Sequence, residues 1–355
     1  MADSLMSGLT PESARRIHAD SFVFDGHNDL AGPLSQGESL DDRAGRGHLD
    51  LRRMREGGFD GGIFAVFIDP TEEDPLGRSL SGVERLRATL EAHPAFRVVL
   101  SGADMETEPD DGRIAAVIGV EGGYAIEDDL TPVDQLFDAG MRCLTLTWND
   151  PTAWADAAGN ELHGGLTRFG RRLVDHLQRL GVLVDLSHAS DGTASDVFER
   201  ADRPVVSSHA GMRRLAPLPR NVSDAHLEAI AETGGLTGVS LFNGHLDADF
   251  EARCTPLRAR EFSDTEELAR AVRAEVGTLP MSAVVDHVRH AVRIVGPEHI
   301  GLGSDFDGMW ALPDGLEDVS RLPDLSAALA NEFDANGLRA FLGTNWVRVL
   351  RAALP

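Results

Sequence analysis

Short apolar runs alternate with longer amphipathic stretches along almost the whole chain. The apolar runs have the length of β-strands, and most are continuously hydrophobic, as expected for parallel strands whose two faces are both covered. The stretches between them are rich in Ala, Leu and Arg and predict helices, so the pattern is one of repeated βα units. The eight candidate strands are residues 21–29, 61–69, 113–123, 141–150, 181–188, 203–209, 234–242 and 299–308.

Eight strands with interleaved helices predict an α/β fold, a closed TIM-like (β/α)₈ barrel, in preference to an open sheet. The length of 355 residues fits a barrel, although a prior of about 150 residues per domain would also allow two domains. No Pro/Ser-rich linker divides the chain, so a single barrel domain over residues 1–355 is predicted. The predicted helices are residues 79–92, 131–139, 166–180, 191–201, 223–233 and 281–295, with Ser79, Thr131 and Ser223 as N-caps.

Three stretches fall outside this alternation. Residues 30–60 are polar and Gly-rich and are predicted to form a long loop after the first strand. Residues 243–280 contain a charged helix at 264–276 and are predicted to form a lid insertion after the seventh strand. Residues 324–354 predict two C-terminal helices that pack on the barrel.

The charge balance excludes several classes of partner. The chain has 33 basic and 58 acidic residues, a formal net charge of −25, while its 42% hydrophobic content is that of a globular protein. A body this negative repels phosphate backbones and anionic headgroups, so neither nucleic acid nor a membrane is expected as a partner. No secretory signal and no run of about 18 apolar residues is found, which predicts a cytoplasmic protein.

The residue types that are missing narrow the chemistry further. All 33 basic residues are arginines, which excludes Schiff-base chemistry, P-loop phosphate binding and a carboxylated lysine as a metal bridge. No GxSxG elbow is present, which disfavours a serine hydrolase. The two cysteines, Cys143 and Cys254, are too few for a disulfide framework or a CxxC metal site.

Titratable residues mark the ends of five of the predicted strands. In (β/α)₈ enzymes the carboxyl ends of the strands meet at one mouth, where the active site lies. The side chains are therefore expected to converge, and the two on the first strand, which are two positions apart, share one face. They are His27 and Asp29 on the first strand, Glu121 on the third, His188 on the fifth, His209 on the sixth and Asp305 on the eighth.

Three imidazoles and three carboxylates form a mixed nitrogen and oxygen ligand set. Zinc fits this set well, and iron, manganese and cobalt remain open. Six groups exceed the needs of one tetrahedral ion, whereas two ions that share a carboxylate would use them. Each residue alone has an ordinary structural alternative, such as Glu121 or Asp305 capping a helix, so the coincidence of all six carries the prediction. His287 and His290 have ligand-like spacing but are predicted to be surface residues in mid-helix.

Several motifs together resemble the membrane dipeptidases, a family of the metal-dependent amidohydrolase superfamily, in order and spacing over almost the whole chain. They are DGHNDL at 25–30, GVEGG at 119–123, LTLT at 144–147, DLSH at 185–188, SSH at 207–209 followed by RN at 220–221, GSDFDG at 303–308 and GLEDVSRLPDL at 315–325.

The resemblance implies a dipeptidase that uses two zinc ions and a hydroxide held between them. His27 and Asp29 would bind one ion, His188 and His209 the other, and Glu121 would bridge them. By the same resemblance, Arg220 would bind the terminal carboxylate of a small dipeptide, and Asp305 would be the catalytic acid beside the metal-bound water. A homodimer is left open.

Two positions depart from the family pattern. Trp148 stands where many members have a histidine after LTLT, and Tyr124 stands where the better-known members have a histidine after VEGG. With Asn221, which follows Arg220, they are the remaining candidate substrate-binding residues. The alternatives are another amidohydrolase activity, on N-acyl amino acids or by deamination, and a metal-binding protein of low activity. Asp29 argues against a mononuclear deaminase, which typically has HxH on its first strand.

Overall fold

Eight parallel strands close into a barrel at the centre of the protein, as a computed structural model shows over residues 8–43, 45–105 and 112–355. Each barrel strand pairs with its neighbours in parallel, and pairing between β2 and β4 closes the ring. The strands are β1 Val23–Asn28, β2 Phe59–Phe67, β3 Phe96–Val98, β4 Ile114–Glu121, β5 Met141–Thr145, β6 Leu183–Asp185, β7 Val205–Ala210, β8 Leu236–Val239 and β9 Ile300–Leu302.

All eight predicted strands are present and form the predicted (β/α)₈ barrel. The sequence analysis missed one strand, β3. Among the described residues it pairs with the first residues of β4 and lies outside the barrel ring. It occupies the same edge of β4 that pairs with β5 further along the strand. Three residues are too few to show a periodic pattern.

Continuous hydrophobicity in these strands reflects two separate cores. Along β4, every residue is buried, and Val117 faces the barrel interior with Ile63 and Leu183, whereas its neighbour Ile118 packs in the larger core beneath the helices. Successive side chains point to opposite faces of a strand, so both sets of positions must be apolar.

An aromatic side chain from the C-terminal helix closes the bottom of the barrel. Trp346 is fully buried, and its indole Nε1 donates a hydrogen bond of 2.9 Å to the carbonyl oxygen of Leu302. Its ring lies so close to Gly26 that a Cβ atom there would be 2.0 Å from the indole, so only glycine fits. The barrel is therefore open at its other end, where the carboxyl ends of the strands lie.

The helices surround the barrel, and several of them depart from the prediction. Residues 30–60 are not one long loop, because two short helices form there and β2 begins at Phe59. The helix predicted from residue 79 begins at Pro75, capped by Asp74, and the last segment holds three helices and a π-helical turn at Ala340–Thr344. The helices are α1 Pro11–Ala19, α2 Ala31–Ser35, α3 Leu51–Glu56, α4 Pro75–Ala92, α5 Thr131–Ala139, α6 Arg168–Leu180, α7 Asp191–Phe198, α8 Asp224–Glu232, α9 Asn243–Leu246, α10 Ala248–Arg258, α11 Thr265–Glu275, α12 Ser282–Val295, α13 Leu322–Ala328, α14 Ala335–Arg339 and α15 Asn345–Ala353.

Helix length and apolarity were also compared with the needs of a membrane span. In the part of the chain that the structure describes, no helix is both long enough and apolar enough to cross a membrane.

Candidate metal centre

Strand ends place the six predicted ligands at the open mouth of the barrel. His27 and His209 lie within β1 and β7, Asp29 follows β1 directly, and Glu121 is the last residue of β4. The pairing register sets Glu121 level with Phe67 of β2 and Thr145 of β5, which brings neighbouring strand ends to one height. His188 and Asp305 each lie three residues beyond their strand, and all six side chains are buried.

Glu121 is the centre of the cluster. Its Oε1 lies 3.2 Å from Nε2 of His188 and 3.6 Å from Nε2 of His209, while its Oε2 lies 3.7 Å from Nε2 of His27. One carboxylate thus faces two sets of ligand atoms with different oxygens. The first set is Glu121, His188 and His209, and the second is His27, Asp29 and Asp305; within each, the potential ligand atoms lie within 4.8 Å of one another.

The backbone is held in an unusual conformation at two of these ligands. His188 and Asp305 both have φ of 65°, in the left-handed region, and among the described non-glycine residues only Asp307 shares it. Such conformations cost on the order of 1–3 kcal/mol each and persist where surrounding contacts impose them. For Asp305 those contacts include its own amide, which donates a 3.1 Å hydrogen bond to the carbonyl oxygen of His27.

Hydrogen bonds behind two of the imidazoles fix their orientation. The Oγ of Ser208 donates to the Asp185 carboxylate at 2.6 Å and therefore accepts from Nδ1 of His209, which is 2.9 Å away. The Nδ1 of His188 likewise lies 3.0 Å from the amide oxygen of Asn149. Both rings thus carry their proton on Nδ1 and turn the lone pair of Nε2 towards Glu121.

Burial and crowding shift the titration of the whole cluster. Burial, reinforced by the charges of Asp29 and Asp305, raises the pKa of Glu121 to about 8, and burial with the charge of Asp29 raises the pKa of Asp305 to about 7. Burial and nearby positive groups lower the pKa of His188 and His209 well below its ordinary value, which keeps their Nε2 atoms available as ligands.

The surroundings of His27 indicate which kind of ligand the cluster suits. Burial lowers its pKa, but the negative charges of Glu121, Asp29 and Asp305 outweigh burial and raise it to about 10. Within the part of the chain that the structure describes, its Nε2 is nevertheless buried without a hydrogen bond, although carboxylate oxygens of Asp29 and Glu121 lie at 3.4 and 3.7 Å. A buried nitrogen without a partner, among carboxylates that repel one another, fits a site for divalent cations.

A cavity of about 1130 Å³ opens above this cluster. Five of the six predicted ligands, all except His27, line its floor. Residues of α10 and α11, which belong to the predicted lid insertion at 243–280, form part of its wall. The aromatic side chains on the wall include Phe67, Trp148, Phe242, His245 and Trp310.

Arg220 also lines the cavity and has unused hydrogen-bonding capacity. Its Nη2 donates to the carbonyl oxygen of His209 at 2.9 Å, but its Nε and Nη1 are buried and have no hydrogen-bond partner among the described residues. Burial lowers the pKa of Arg220 to about 10, so the group stays cationic at neutral pH. A cationic guanidinium with unused donors beside the ligand cluster suits an anionic ligand such as a carboxylate.

The other three predicted substrate-binding residues occupy different places. Trp148 is partly exposed on the cavity wall, where its ring centroid lies 5.0 Å from that of Phe67 and 6.2 Å from that of His188. Tyr124 is not among the described residues that line the cavity; its hydroxyl accepts from the backbone amide of Trp148 at 3.1 Å and donates to the carbonyl oxygen of Asp150 at 2.7 Å.

Asn221 is buried beneath the loop that carries Arg220 and does not line the cavity. Its amide oxygen accepts from the backbone of Gly211 at 2.9 Å. Its amide nitrogen donates to the carbonyl oxygens of Ala216 at 2.9 Å and His245 at 2.8 Å. All of these partners are backbone groups, so the Asn221 side chain stabilises the loop that carries Arg220 and does not face the cavity.

Sequence reasoning missed His245, Asp185 and Asn149. His245 lines the cavity with its ring 6.3 Å from that of His209, and its Nδ1 lies 3.0 Å from Oγ of Ser240. It lies six residues after β8, so the rule of titratable residues at strand ends could have found it with a wider window. Asp185 and Asn149 act through hydrogen bonds to other side chains, which sequence spacing does not reveal.

Comparisons with known proteins point to one family. The family model for membrane dipeptidases, peptidase family M19, matches residues 11–354. Dipeptidase 3 of Mus musculus is 30% identical over 357 residues, an alignment that covers 96% of this chain and 66% of the mouse protein. The chain thus spans about two thirds of the length of that relative.

Two solved structures match over nearly their whole length. Dipeptidase AC, a metallopeptidase of family M19, is 30% identical with a TM-score of 0.79, over 94% of this chain and 98% of that one. A metallopeptidase from Rhodobacter sphaeroides, liganded with a phosphinate mimic of the dipeptide L-Ala-D-Ala, is 29% identical with a TM-score of 0.78, over 94% and 100% of the two chains.

Proposed function

Because the chain belongs to the membrane dipeptidase family, peptidase family M19, we propose that it is a metal-dependent dipeptidase that hydrolyses small dipeptides with a free C-terminal carboxylate. Two divalent metal ions, zinc by preference, are proposed as its cofactors. The observation that carries the proposal is the guanidinium of Arg220, which has two buried, unused donors among the described residues and lines the same cavity as the ligand cluster.

The donor set supports two ions rather than one. Glu121 turns one oxygen towards His188 and His209 and the other towards His27, the arrangement of a bridging carboxylate. His27 and Asp29 would hold one ion, and His188 and His209 the other. When bound, such a pair activates water as a nucleophile at neutral pH and polarises the substrate carbonyl. Mixed imidazole and carboxylate ligands suit zinc.

The chain's own residues would then bind the substrate and move its protons. Arg220 would bind the terminal carboxylate by its positive charge and by a hydrogen bond from one of its unused N–H groups. Asp305 lies in the second ligand group, where its carboxylate could accept a proton from water and return it to the leaving amine. Trp148, on the wall beside His188, would limit the room for a substrate side chain.

The function is tested by assaying the purified protein on a dipeptide library, after chelation and again after zinc is restored. We expect hydrolysis that chelation abolishes and zinc restores. N-acetyl amino acids are the matched comparison, because they carry the same free carboxylate without an α-amino group. Preferential cleavage of the N-acetyl compounds would overturn the dipeptidase assignment in favour of the alternative amidohydrolase activity.

Bridging by Glu121 has its own test, because a neutral amide bridges two cations poorly. Glu121→Gln should retain at most one tightly bound ion per chain, measured by elemental analysis after dialysis. Glu127→Gln, an exposed glutamate six residues later, is the control and should keep the full content. Two tightly bound ions in Glu121→Gln would contradict the bridge.

The carboxylate site is tested with a dipeptide and its C-terminal amide. Arg220→Ala should weaken transition-state binding of the free acid by roughly 2–5 kcal/mol, the range for truncating a buried charged partner, and that of the amide much less. Equal losses on both substrates would show that Arg220 does not bind the carboxylate.

A further inference from the structure

A second arginine, Arg213, forms hydrogen bonds to the backbone on both sides of Arg220. Its Nη2 donates to the carbonyl oxygen of Pro219 at 2.9 Å, and its Nε donates to the carbonyl oxygen of Asn221 at 2.8 Å. The backbone amide of Arg213 also donates to the carbonyl oxygen of Val222 at 2.9 Å. One side chain thus fixes the peptide groups that flank the cavity arginine.

Arg213 is itself anchored to a neighbouring barrel loop. Its Nη1 and Nη2 bind the two carboxylate oxygens of Asp191 at 2.6 and 2.7 Å, a bidentate pair. Asp191 is the first residue of α7 and lies three positions after His188 in the chain. The hydrogen bonds from Arg213 lower the pKa of Asp191, so the pair is ionised at neutral pH. The loop after β7 is therefore tied to the loop that carries a candidate metal ligand.

The position of the Arg220 side chain depends on this support. Among the described residues its guanidinium makes a single hydrogen bond, to the carbonyl oxygen of His209. A side chain with one anchor is placed mainly by its own backbone, and the loop from 212 to 222 lies between β7 and α8 with no regular secondary structure around Arg220. Asn221 holds this loop from its buried side, and Arg213 holds it from the side that is partly open to solvent.

We propose that Arg213, anchored by Asp191, is a positioning residue that sets the place of Arg220 and thereby the affinity for the substrate carboxylate. This inference rests on the proposed function, in which Arg220 binds that carboxylate. Arg213 does not line the cavity and acts through the backbone of residues 219 and 221. A lysine could not fully replace it. A single ammonium group cannot bind both oxygens of a carboxylate and two backbone carbonyl oxygens at the same time.

The test compares Arg213→Ala with Arg214→Ala, the exposed arginine next to it, on a dipeptide and on its C-terminal amide. Arg213→Ala should raise KM for the free acid by about tenfold with kcat within about threefold, as expected when uniform binding is lost. KM for the amide should stay within about twofold of the parent value, and Arg213→Lys should fall between Ala and the parent. Equal changes for acid and amide would overturn the proposal, because general loosening of the fold affects both.

A double variant shows whether Arg213 acts through Arg220. If it does, Arg213→Ala in the background of Arg220→Ala should add no further loss of kcat/KM on the free acid, because the interaction that it supports is already gone. Additive losses would overturn the proposal. Should Arg213→Ala fail to fold, Asp191→Asn takes its place in the same comparison, with a smaller rise in KM because one acceptor oxygen remains.

Hydrogen exchange of backbone amides gives a readout that needs no substrate. Amides of residues 211–222 should exchange faster in Arg213→Ala and remain at the parent rate in Arg214→Ala. Unchanged exchange would overturn the positioning role. The two proposals can be told apart. If Arg220→Ala affects the dipeptide and its amide alike, both the carboxylate site and the role of Arg213 are wrong. If Arg220→Ala is selective for the free acid but Arg213→Ala has the same kinetics as Arg214→Ala, only the role of Arg213 is wrong.

Discussion

Trp148 illustrates how a single side chain can set the shape of the cavity. Its ring meets Phe67 edge to face and lies on the wall near His188, while the hydroxyl of Tyr124 holds its backbone amide. An indole offers one N–H donor and no group that titrates near neutral pH, so it cannot replace the chemistry of a histidine at this position. Its bulk, in contrast, lies on the wall of the cavity above the candidate ligands.

We therefore expect Trp148→His to widen the range of accepted side chains. The ratio of kcat/KM for bulky over small dipeptides should rise, because the indole no longer fills part of the cavity, and it is measured with a matched series of substrates. Trp148→Phe, which keeps an aromatic ring of intermediate size, is the control and should shift the ratio less. An unchanged ratio in Trp148→His, whatever the overall rate, would place Trp148 outside the substrate path.

At this scale the convergence of the candidate ligands could be predicted, but the residues that support them could not. Glu121 and His209 end hydrophobic runs, and that position in a barrel is enough to bring them to one mouth. The Asp185 carboxylate behind His209 is linked to it through the hydroxyl of Ser208, a contact that depends on two strands meeting in space. No pattern along one strand encodes that contact.

Among the elements, the strands were easier to locate than the starts of the helices. Strand positions follow from continuous burial, which both cores impose. Ser223 caps α8 as predicted, whereas Ser79 lies inside α4 and Thr131 makes no capping hydrogen bond at α5. A serine before an amphipathic stretch is ambiguous when an Asp-Pro pair lies upstream, because proline favours the first turn and the aspartate caps it.

Helix α12 contains the clearest wrong prediction, because His287 is buried and not on the surface. Its Nδ1 accepts from the backbone amide of Met212 at 2.8 Å, and its Nε2 lies 3.0 Å from the carbonyl oxygen of Leu246. The imidazole thus joins the segments that follow β7 and β8 to the outer helix. A polar residue in mid-helix gave no sign of these partners, since both are backbone groups of distant segments.

His287 should make the stability of the fold depend on pH. Burial lowers its pKa from 6.5 to about 4, so between these values the unfolded chain binds a proton that the folded protein does not. The free energy of unfolding should therefore fall as the pH is lowered through this range, by about 3 kcal/mol in total for this group. Urea unfolding with a chelator present, at pH 7.5 and pH 4.5, measures the change.

His287→Gln keeps a hydrogen-bonding amide but cannot titrate. We expect the loss of stability between pH 7.5 and pH 4.5 to be smaller in this variant than in the parent, by on the order of 2 kcal/mol. His290→Gln, three residues later and partly exposed, is the matched control. An identical pH dependence in the parent and in His287→Gln would contradict the role of the buried imidazole.

On the scale of the whole molecule, the barrel gathers ligands that are far apart in the chain. Residues 27 and 305 lie in one ligand group, because β1, which carries His27, pairs directly with β9, which precedes Asp305. The same closure concentrates negative charge in a protein whose net charge is already −25. The ligand cluster thus exists only in the folded state, and bound cations would relieve its internal repulsion.

Metal binding should consequently stabilise the fold in a way that depends on pH. Ions that bind only the folded protein stabilise it by about 4 kcal/mol at a thousandfold excess over the dissociation constant. The raised pKa values of Glu121 and Asp305, about 8 and 7, mean that the folded protein without metal keeps protons that the unfolded chain has lost. Its stability therefore falls as the pH rises through this range, and metal ions must displace these protons when they bind at low pH.

We expect calorimetry to show a lower melting temperature after chelation, its restoration by zinc, and a larger zinc-dependent increase at pH 8 than at pH 6. At the higher pH fewer protons compete for the carboxylates, so zinc binds more tightly and raises the melting temperature more. Glu121→Gln is the informative variant, because it removes one of the two titrating acids and should reduce both the increase and its pH dependence. Melting temperatures that are independent of zinc at both pH values would show that no metal site is coupled to the folding of this barrel.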